Sequence, residues 1–116
     1  MSLLITKQSE EFSSAPQISV EDIAEIAGLG FKSIINNRPD HEGGDTQPTS
    51  EQIKLAAESA GLNYFYIPVI PNNIQSAQIE TFKIAYKNAD KPILGFCRTG
   101  NRATSILKLA QVSSTT

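Results

Sequence analysis

The sequence predicts an α/β fold: a mostly parallel central sheet with helices packed on both faces. Two observations lead there. Short apolar, β-prone runs at 31–37, 63–70 and 93–96 alternate with segments whose apolar residues recur at helical spacing. The helical segments are punctuated by capping residues at their starts or glycines at their ends. Alternation of this kind implies crossover connections, which leave neighbouring strands parallel.

The elements follow in order. Residues 3–18 read as short strands, with Glu10-Glu11 and Ser13-Ser14 as turn material. Ser19 opens the first helix, because Ser19-x-x-Asp22 resembles a capping box with Asp in place of the usual Glu or Gln. Ile23, Ile26 and Ala27 give that helix its apolar face, and Gly28 or Gly30 ends it. Phe31 to Asn37 is a strand, and Pro39 to Pro48 a polar loop rich in Gly and Asp. Thr49-x-x-Gln52 caps a second helix with Ile53, Ala56, Ala57 and Ala60 on one side and Gly61 at its end. Asn63 to Ile70 is a strand running into the loop Pro71-Asn72-Asn73. A third helix covers 76–89, with Ile79, Phe82 and Tyr86 at helical spacing. Ile93 to Phe96 is the last strand, 102–112 the last helix, and Ser113 to Thr116 a frayed tail.

Bulk properties narrow the function classes. The chain has 116 residues, enough for a single domain over 1–116 with one core. A net charge of −2 implies no general affinity for nucleic acid. One cysteine rules out an internal disulfide and suits a reducing cytosol. No apolar run approaches the ~20 residues that span a bilayer, and Met1 to Ile5 is too short for a signal peptide's apolar region. The expected location is the cytoplasm, with neither a membrane nor a nucleic acid as partner.

The chemistry concentrates in Phe96-Cys97-Arg98-Thr99-Gly100-Asn101-Arg102-Ala103-Thr104. The thiol sits where a buried strand turns into a helix, between two arginines. Free backbone N–H groups and the helix dipole favour an anion there, and such a setting favours a thiolate nucleophile. The structural alternative is a small buried hydrophobe, but that role needs no flanking charge. Ligands of parallel sheets bind beyond the carboxyl ends of the strands. Three loops leave that edge: one carries Cys97, one Arg38-Pro39-Asp40-His41-Glu42, and one Pro71-Asn72-Asn73.

Ile34-Ile35-Asn36-Asn37-Arg38-Pro39-Asp40, Gln47-Pro48, Tyr66-Ile67-Pro68-Val69 and Phe96 to Arg102 follow in this order. The combination resembles the phosphatase-like domain of the beta-lactamase hydrolase-like proteins, over about residues 12–111. The resemblance implies a three-layer fold similar to dual-specificity and protein tyrosine phosphatases, which use a cysteine nucleophile. It also implies a possible metallo-beta-lactamase-type hydrolase partner, and some members of the family are labelled sulfur transferases.

Two mechanisms fit one cysteine. As a phosphatase acting on a phosphorylated small molecule or phosphoprotein, Cys97 attacks phosphorus and forms a cysteinyl-phosphate. Arg102 binds two equatorial oxygens with its planar fork. Backbone N–H groups of Arg98, Thr99, Gly100, Asn101, Arg102 and Ala103 form the phosphate-binding loop, and Thr104 or Ser105 hydrogen-bonds the sulfur. Asp40 is the expected general acid, with Glu42, Asp45 and His41 as alternatives; the structural reading of Asp40 is a turn residue paired with Arg38. No cofactor or metal is required, and a lone histidine does not make a metal site. The chain departs from the cysteine-phosphatase pattern in three places. Four residues rather than five separate Cys97 from Arg102, Phe96 stands where His is usual, and Pro71-Asn72-Asn73 carries no acid where dual-specificity enzymes place one. The six-residue loop Cys97 to Arg102 is similar to that of rhodaneses, which predicts the alternative: a sulfurtransferase that takes sulfane sulfur from a donor as a Cys97 persulfide and needs no general acid. A third possibility is a non-catalytic domain for anion binding or partner docking.

Overall fold

The computed structural model describes residues 3–114. Its elements are β1 (Thr6–Lys7), β2 (Phe12–Ala15), α1 (Ile23–Gly28), β3 (Ser33–Asn36), α2 (Ser50–Ser59), β4 (Asn63–Tyr66), α3 (Ser76–Asn88), β5 (Ile93–Phe96) and α4 (Asn101–Ser114). Single 3₁₀ turns precede α1 at Val20–Asp22 and α2 at Gly44–Thr46. The sheet has five strands in the order β1-β2-β5-β3-β4. β2, β5, β3 and β4 run parallel, and β1 is an antiparallel edge on β2. This is the expected α/β architecture.

The sheet separates two apolar layers. Ile23 and Ile26 of α1 and Ile53 and Ala57 of α2 pack with Ile34, Leu94 and Phe96 on one face. Phe82 and Ala85 of α3 and Ile106, Leu107 and Ala110 of α4 pack with Phe12, Ile35 and Ile93 on the other. Strands covered on both sides bury every residue, as β2, β3 and β5 do. The packing of α3 runs through one ring: Phe12 meets Phe82 edge-on at a centroid distance of 6.0 Å and stacks beside Tyr86 at 6.3 Å. That ring lies over Gly95, where an added Cβ would be driven into it.

Several boundaries differ from expectation, each for a local reason. Ser13 and Ser14 lie inside β2, not in a turn. The turn falls at Gln8–Glu11, where the N–H groups of Gln8 and Ser9 both donate to the carbonyl of Phe12. Ser14 tolerates burial because its hydroxyl accepts from Gln8 Nε2 and from Thr104 Oγ1. α1 begins only at Ile23; the carboxylate of Asp22 does accept from the N–H of Ser19, but it closes a 3₁₀ turn first. The box at Thr49 forms as expected, Thr49 Oγ1 accepting from Gln52 N–H and Gln52 Oε1 accepting from Thr49 N–H. β4 ends at Tyr66 because Pro68 has no N–H to continue the ladder, although Ile67 and Val69 still donate to Asn36 and Asn37. α4 continues through Ser113 and Ser114, where a tail was expected. Thr115 and Thr116, like Met1 and Ser2, lie outside the described residues. Among the described residues no helix is long and apolar enough to cross a membrane.

Because the added methyl would collide with the Phe12 ring, Gly95→Ala is expected to destabilise the fold by about 1–3 kcal/mol, the usual cost of overpacking. Urea unfolding checks this: the midpoint falls while the slope holds. An unchanged midpoint would mean that the ring is not confined there.

Candidate active site

β5 delivers Cys97, fully buried, at its carboxyl end. The chain then turns sharply into α4. Gly100 makes the turn at φ +96°, a conformation that side-chain-bearing residues rarely adopt, and its N–H donates to Cys97 Sγ at 3.1 Å. On the outer side the turn is tied to the segment after β2: Cys97 N–H donates to Ala15 O and Gln17 N–H to Arg98 O. The nucleophile candidate therefore lies beneath the N-terminus of a helix fourteen residues long, where unpaired N–H groups gather positive potential.

Arg102, in the first turn of α4, is 8% exposed. Its Nη1 and Nη2 donate to the two oxygens of Glu42, each at 2.8 Å, and Nη1 also donates to the carbonyl of Val69 at 2.9 Å. The same carboxylate accepts from Arg38 Nε at 2.9 Å, and Arg38 Nη1 reaches Gln17 Oε1 at 3.0 Å. One carboxylate thus ties an arginine of its own loop to one in the first turn of α4. The Arg102 hydrogen bonds, with Arg38 adding, hold the Glu42 pKa down to about 2 against the opposing cost of burial. Conversely, Glu42 raises the pKa of Arg102, and the nearby Cys97 adds to that shift.

The loop that carries Glu42 is anchored from below. The Asp40 carboxylate accepts from the N–H of Ser50 at 2.7 Å, at the start of α2, where the helix dipole favours it. The N–H of Asp40 donates to the hydroxyl of Tyr66 at 2.9 Å. Tyr64 completes the layer through Ser50 Oγ and Asn36 Nδ2. Gly43 permits the close pass of Arg38, since a Cβ there would meet Arg38 Nη2.

The three loops expected at the carboxyl edge do converge. Arg98 and Arg102 share a cavity of about 300 Å³ with Pro71, Asn72 and Ser105, and border a second, of about 400 Å³, with Arg38 and Glu42. Arg98 and Thr99 are exposed at this mouth, and among the described residues the Arg98 guanidinium has no hydrogen-bond or ion-pair partner. A larger concavity, about 620 Å³ between α3 and α4, is lined by Phe82, Tyr86 and Leu107 and touches neither the cysteine nor an arginine; chemistry, not volume, locates the site.

Other expected residues fall elsewhere. Asp40 is committed to α2, and Arg38 pairs with Glu42 instead of Asp40. His41 and Asp45 are exposed and line neither cavity. Thr104 Oγ1 bonds to Ser14 Oγ and the Gly100 carbonyl rather than to the sulfur, and the N–H of Asn101 turns to Thr99 Oγ1 at 3.4 Å. Gln17 and Ser50 support the site although nothing in the sequence singles them out, and Tyr66, quoted only within the Tyr66–Val69 segment, gives no sign of its bond to Asp40; ordinary polar residues give no signal of a distant partner.

The family model for the beta-lactamase hydrolase-like protein, phosphatase-like domain, matches residues 5–114. The chain belongs to this family. A beta-lactamase hydrolase-like protein of Agrobacterium fabrum is 37% identical over 103 residues, which are 89% of this chain and 24% of that protein. The chain thus spans about a quarter of the length of the curated relatives it matches. Among solved structures, a candidate phosphatase from Neisseria meningitidis Z2491 superposes with a TM-score of 0.84 at 38% identity, covering 95% of this chain and 78% of that one. The active form of Tk-PTP superposes with a TM-score of 0.63 at 14% identity, over 83% of this chain and 63% of that one, a likeness of fold alone. The fold is that of the protein tyrosine phosphatases.

Glu42 ionises well below its ordinary value of 4.5, so its pairing stabilises the folded state fully above about pH 4.5 and is lost as the pH falls toward 2. Thermal melts are expected to show wild type losing stability across that window more steeply than Glu42→Gln. Parallel curves would mean the carboxylate is not held between the arginines in solution.

Proposed function

We propose that this chain is a cysteine-dependent phosphatase that works through a cysteinyl-phosphate. The observation that carries the reading is the joint placement of a buried thiol, the Gly100 N–H on its sulfur and the Arg102 guanidinium beside it. Cys97 Sγ attacks phosphorus in line. Arg102 spends its Nη ends on Glu42 and Val69, which leaves the Nε edge as the fork for two equatorial oxygens. Backbone N–H groups of the Arg98–Ala103 turn hold the remaining charge as it grows, that of Asn101 once it leaves Thr99 Oγ1. Glu42 acts as a positioning residue: it fixes the plane of the fork before substrate arrives. Membership of a phosphatase-like family and the tyrosine-phosphatase fold support this reading. The Cys97-x₄-Arg102 spacing favours a second one, a persulfide carrier, because a shorter loop encloses a single sulfur atom more closely than a phosphoryl group.

Hydrolysis of 4-nitrophenyl phosphate by wild type, Cys97→Ser and Arg102→Lys tests the proposal. Turnover is expected in wild type and lost in Cys97→Ser. Arg102→Lys should lose about 10²–10³-fold in kcat, as for other donors aimed at transition-state charge, since a point charge cannot replace the fork. No turnover by folded, reduced wild type would overturn it, and a mass gain of one sulfur after thiosulfate treatment, absent in Cys97→Ala, would assign the persulfide reading instead.

A further inference from the structure

We infer that the preferred substrate of this site is a compact phosphoanhydride, whose leaving group is itself a phosphate held by Arg98. The inference rests on the phosphatase reading and adds the substrate class. Two independent features point to it.

The first concerns the leaving group. An alkoxide is a strong base and must be protonated as it departs, a service worth about 10²–10⁴ in rate. The one carboxyl lining either cavity at the cysteine loop, among the described residues, is Glu42. It is clamped between two arginines and ionised at neutral pH, so it holds no proton to give. Asp40 has its carboxylate on the α2 N-terminus. The site therefore suits a leaving group that departs without a proton. A phosphate does, because its conjugate acid ionises near neutrality, with a second pKa of about 6 in phosphoesters.

The second concerns charge. Arg38 and Arg102 are bound to Glu42, whereas Arg98 stands at the rim shared by both cavities with no partner among the described residues. An unpaired guanidinium next to the phosphoryl cradle fits a second, adjacent anionic group. The walls beyond it are Pro71, Asn72, Ile74 and Ser105, with no ring on which a phenol could stack. The cavity of about 300 Å³ lies at the small end of ligand sites, which limits the occupant to a compact one.

In the reaction, the Cys97 thiolate forms an S–P bond to the terminal phosphorus as the bridging P–O bond breaks. The bridging oxygen keeps the electron pair and leaves as phosphate on Arg98. Water then attacks the cysteinyl-phosphate; a P–O bond forms, the S–P bond breaks, sulfur recovers its electron pair as thiolate, and the water proton passes to the released phosphate or solvent.

Three probes separate the possibilities: inorganic pyrophosphate, 4-nitrophenyl phosphate and glycerol 3-phosphate, each assayed by release of inorganic phosphate. Wild type is expected to turn over the first two and to be at least about 10²-fold slower in kcat/KM on the alkyl ester, the low end of what a missing general acid costs. Arg98→Ala should lower the ratio of pyrophosphate to aryl phosphate kcat/KM about tenfold, the loss of one charge-assisted contact, with partial recovery in Arg98→Lys. Glycerol 3-phosphate cleaved as fast as pyrophosphate, or a ratio unmoved by Arg98→Ala, would overturn the inference while leaving the phosphatase reading intact. Failure on the aryl phosphate as well would overturn that reading itself.

Discussion

Strand β5 is the constraint on which the rest of the molecule depends. It lies in the middle of the sheet, hydrogen-bonded to β2 on one side and β3 on the other, and all four of its residues are buried. Both layers of helices close over it, through Leu94 and Phe96 on one face and Ile93 on the other. A strand held on two edges and two faces cannot slip, because a shift of one residue would send every side chain to the wrong layer. Its carboxyl end is thus a fixed point, and Cys97 occupies it. The parallel registers of β3 and β4 bring the loops after them to the same edge. The convergence of Glu42, Val69 and Arg102 is a consequence of strand order before it is a matter of individual contacts.

At that edge the electrostatics are arranged around a single anion. Glu42 faces two arginines, each about nine-tenths buried, and such groups are costly unless paired. Arg102 is held end-on through its Nη groups, and the nearby Cys97 adds to the rise of its pKa. Arg38 is likewise committed, to Glu42 and Gln17. This leaves Arg98, among the described residues, as the uncommitted charge at the mouth. The layer beneath is the one where Asp40, Ser50, Tyr64 and Tyr66 interlock. It fixes the loop from which Glu42 projects, so the precision of the fork is set two layers away from the reacting atoms.

Much of this was legible in the sequence. The alternation of strands and helices, the Thr49 box and the Cys97–Arg102 turn are local patterns, and local patterns survive into the fold. The failures were of a different kind. Ser13 and Ser14 look like turn residues because small polar side chains favour turns, yet both lie inside β2, where another hydroxyl and an amide satisfy the oxygen of Ser14. Asp40 is the expected acid because it occupies the right loop, and the structure sets its carboxylate on the N–H of Ser50; whether a carboxylate in that loop meets the thiol, a helix N-terminus or a guanidinium depends on the path of a few residues. Glu42, only two positions on, makes the guanidinium contacts. The pairing of Arg38 with Glu42 at i,i+4 was available as a spacing, but nothing local says that Arg102, sixty residues away, shares the same carboxylate.

The division of labour between the two acids also follows from their lengths. Asp40 sits close to the backbone it caps, and a short side chain is what an N-terminal capping contact requires. Glu42 must span from its own loop to the Nε of one arginine and the Nη groups of another, which needs the extra methylene. The same reasoning accounts for the glycines that follow: Gly43 clears the path of Arg38, and Gly44 takes a left-handed turn at φ +80° that returns the chain toward α2. A polar loop that reads as unstructured in the sequence is therefore specified residue by residue, with the position of one carboxylate as the outcome.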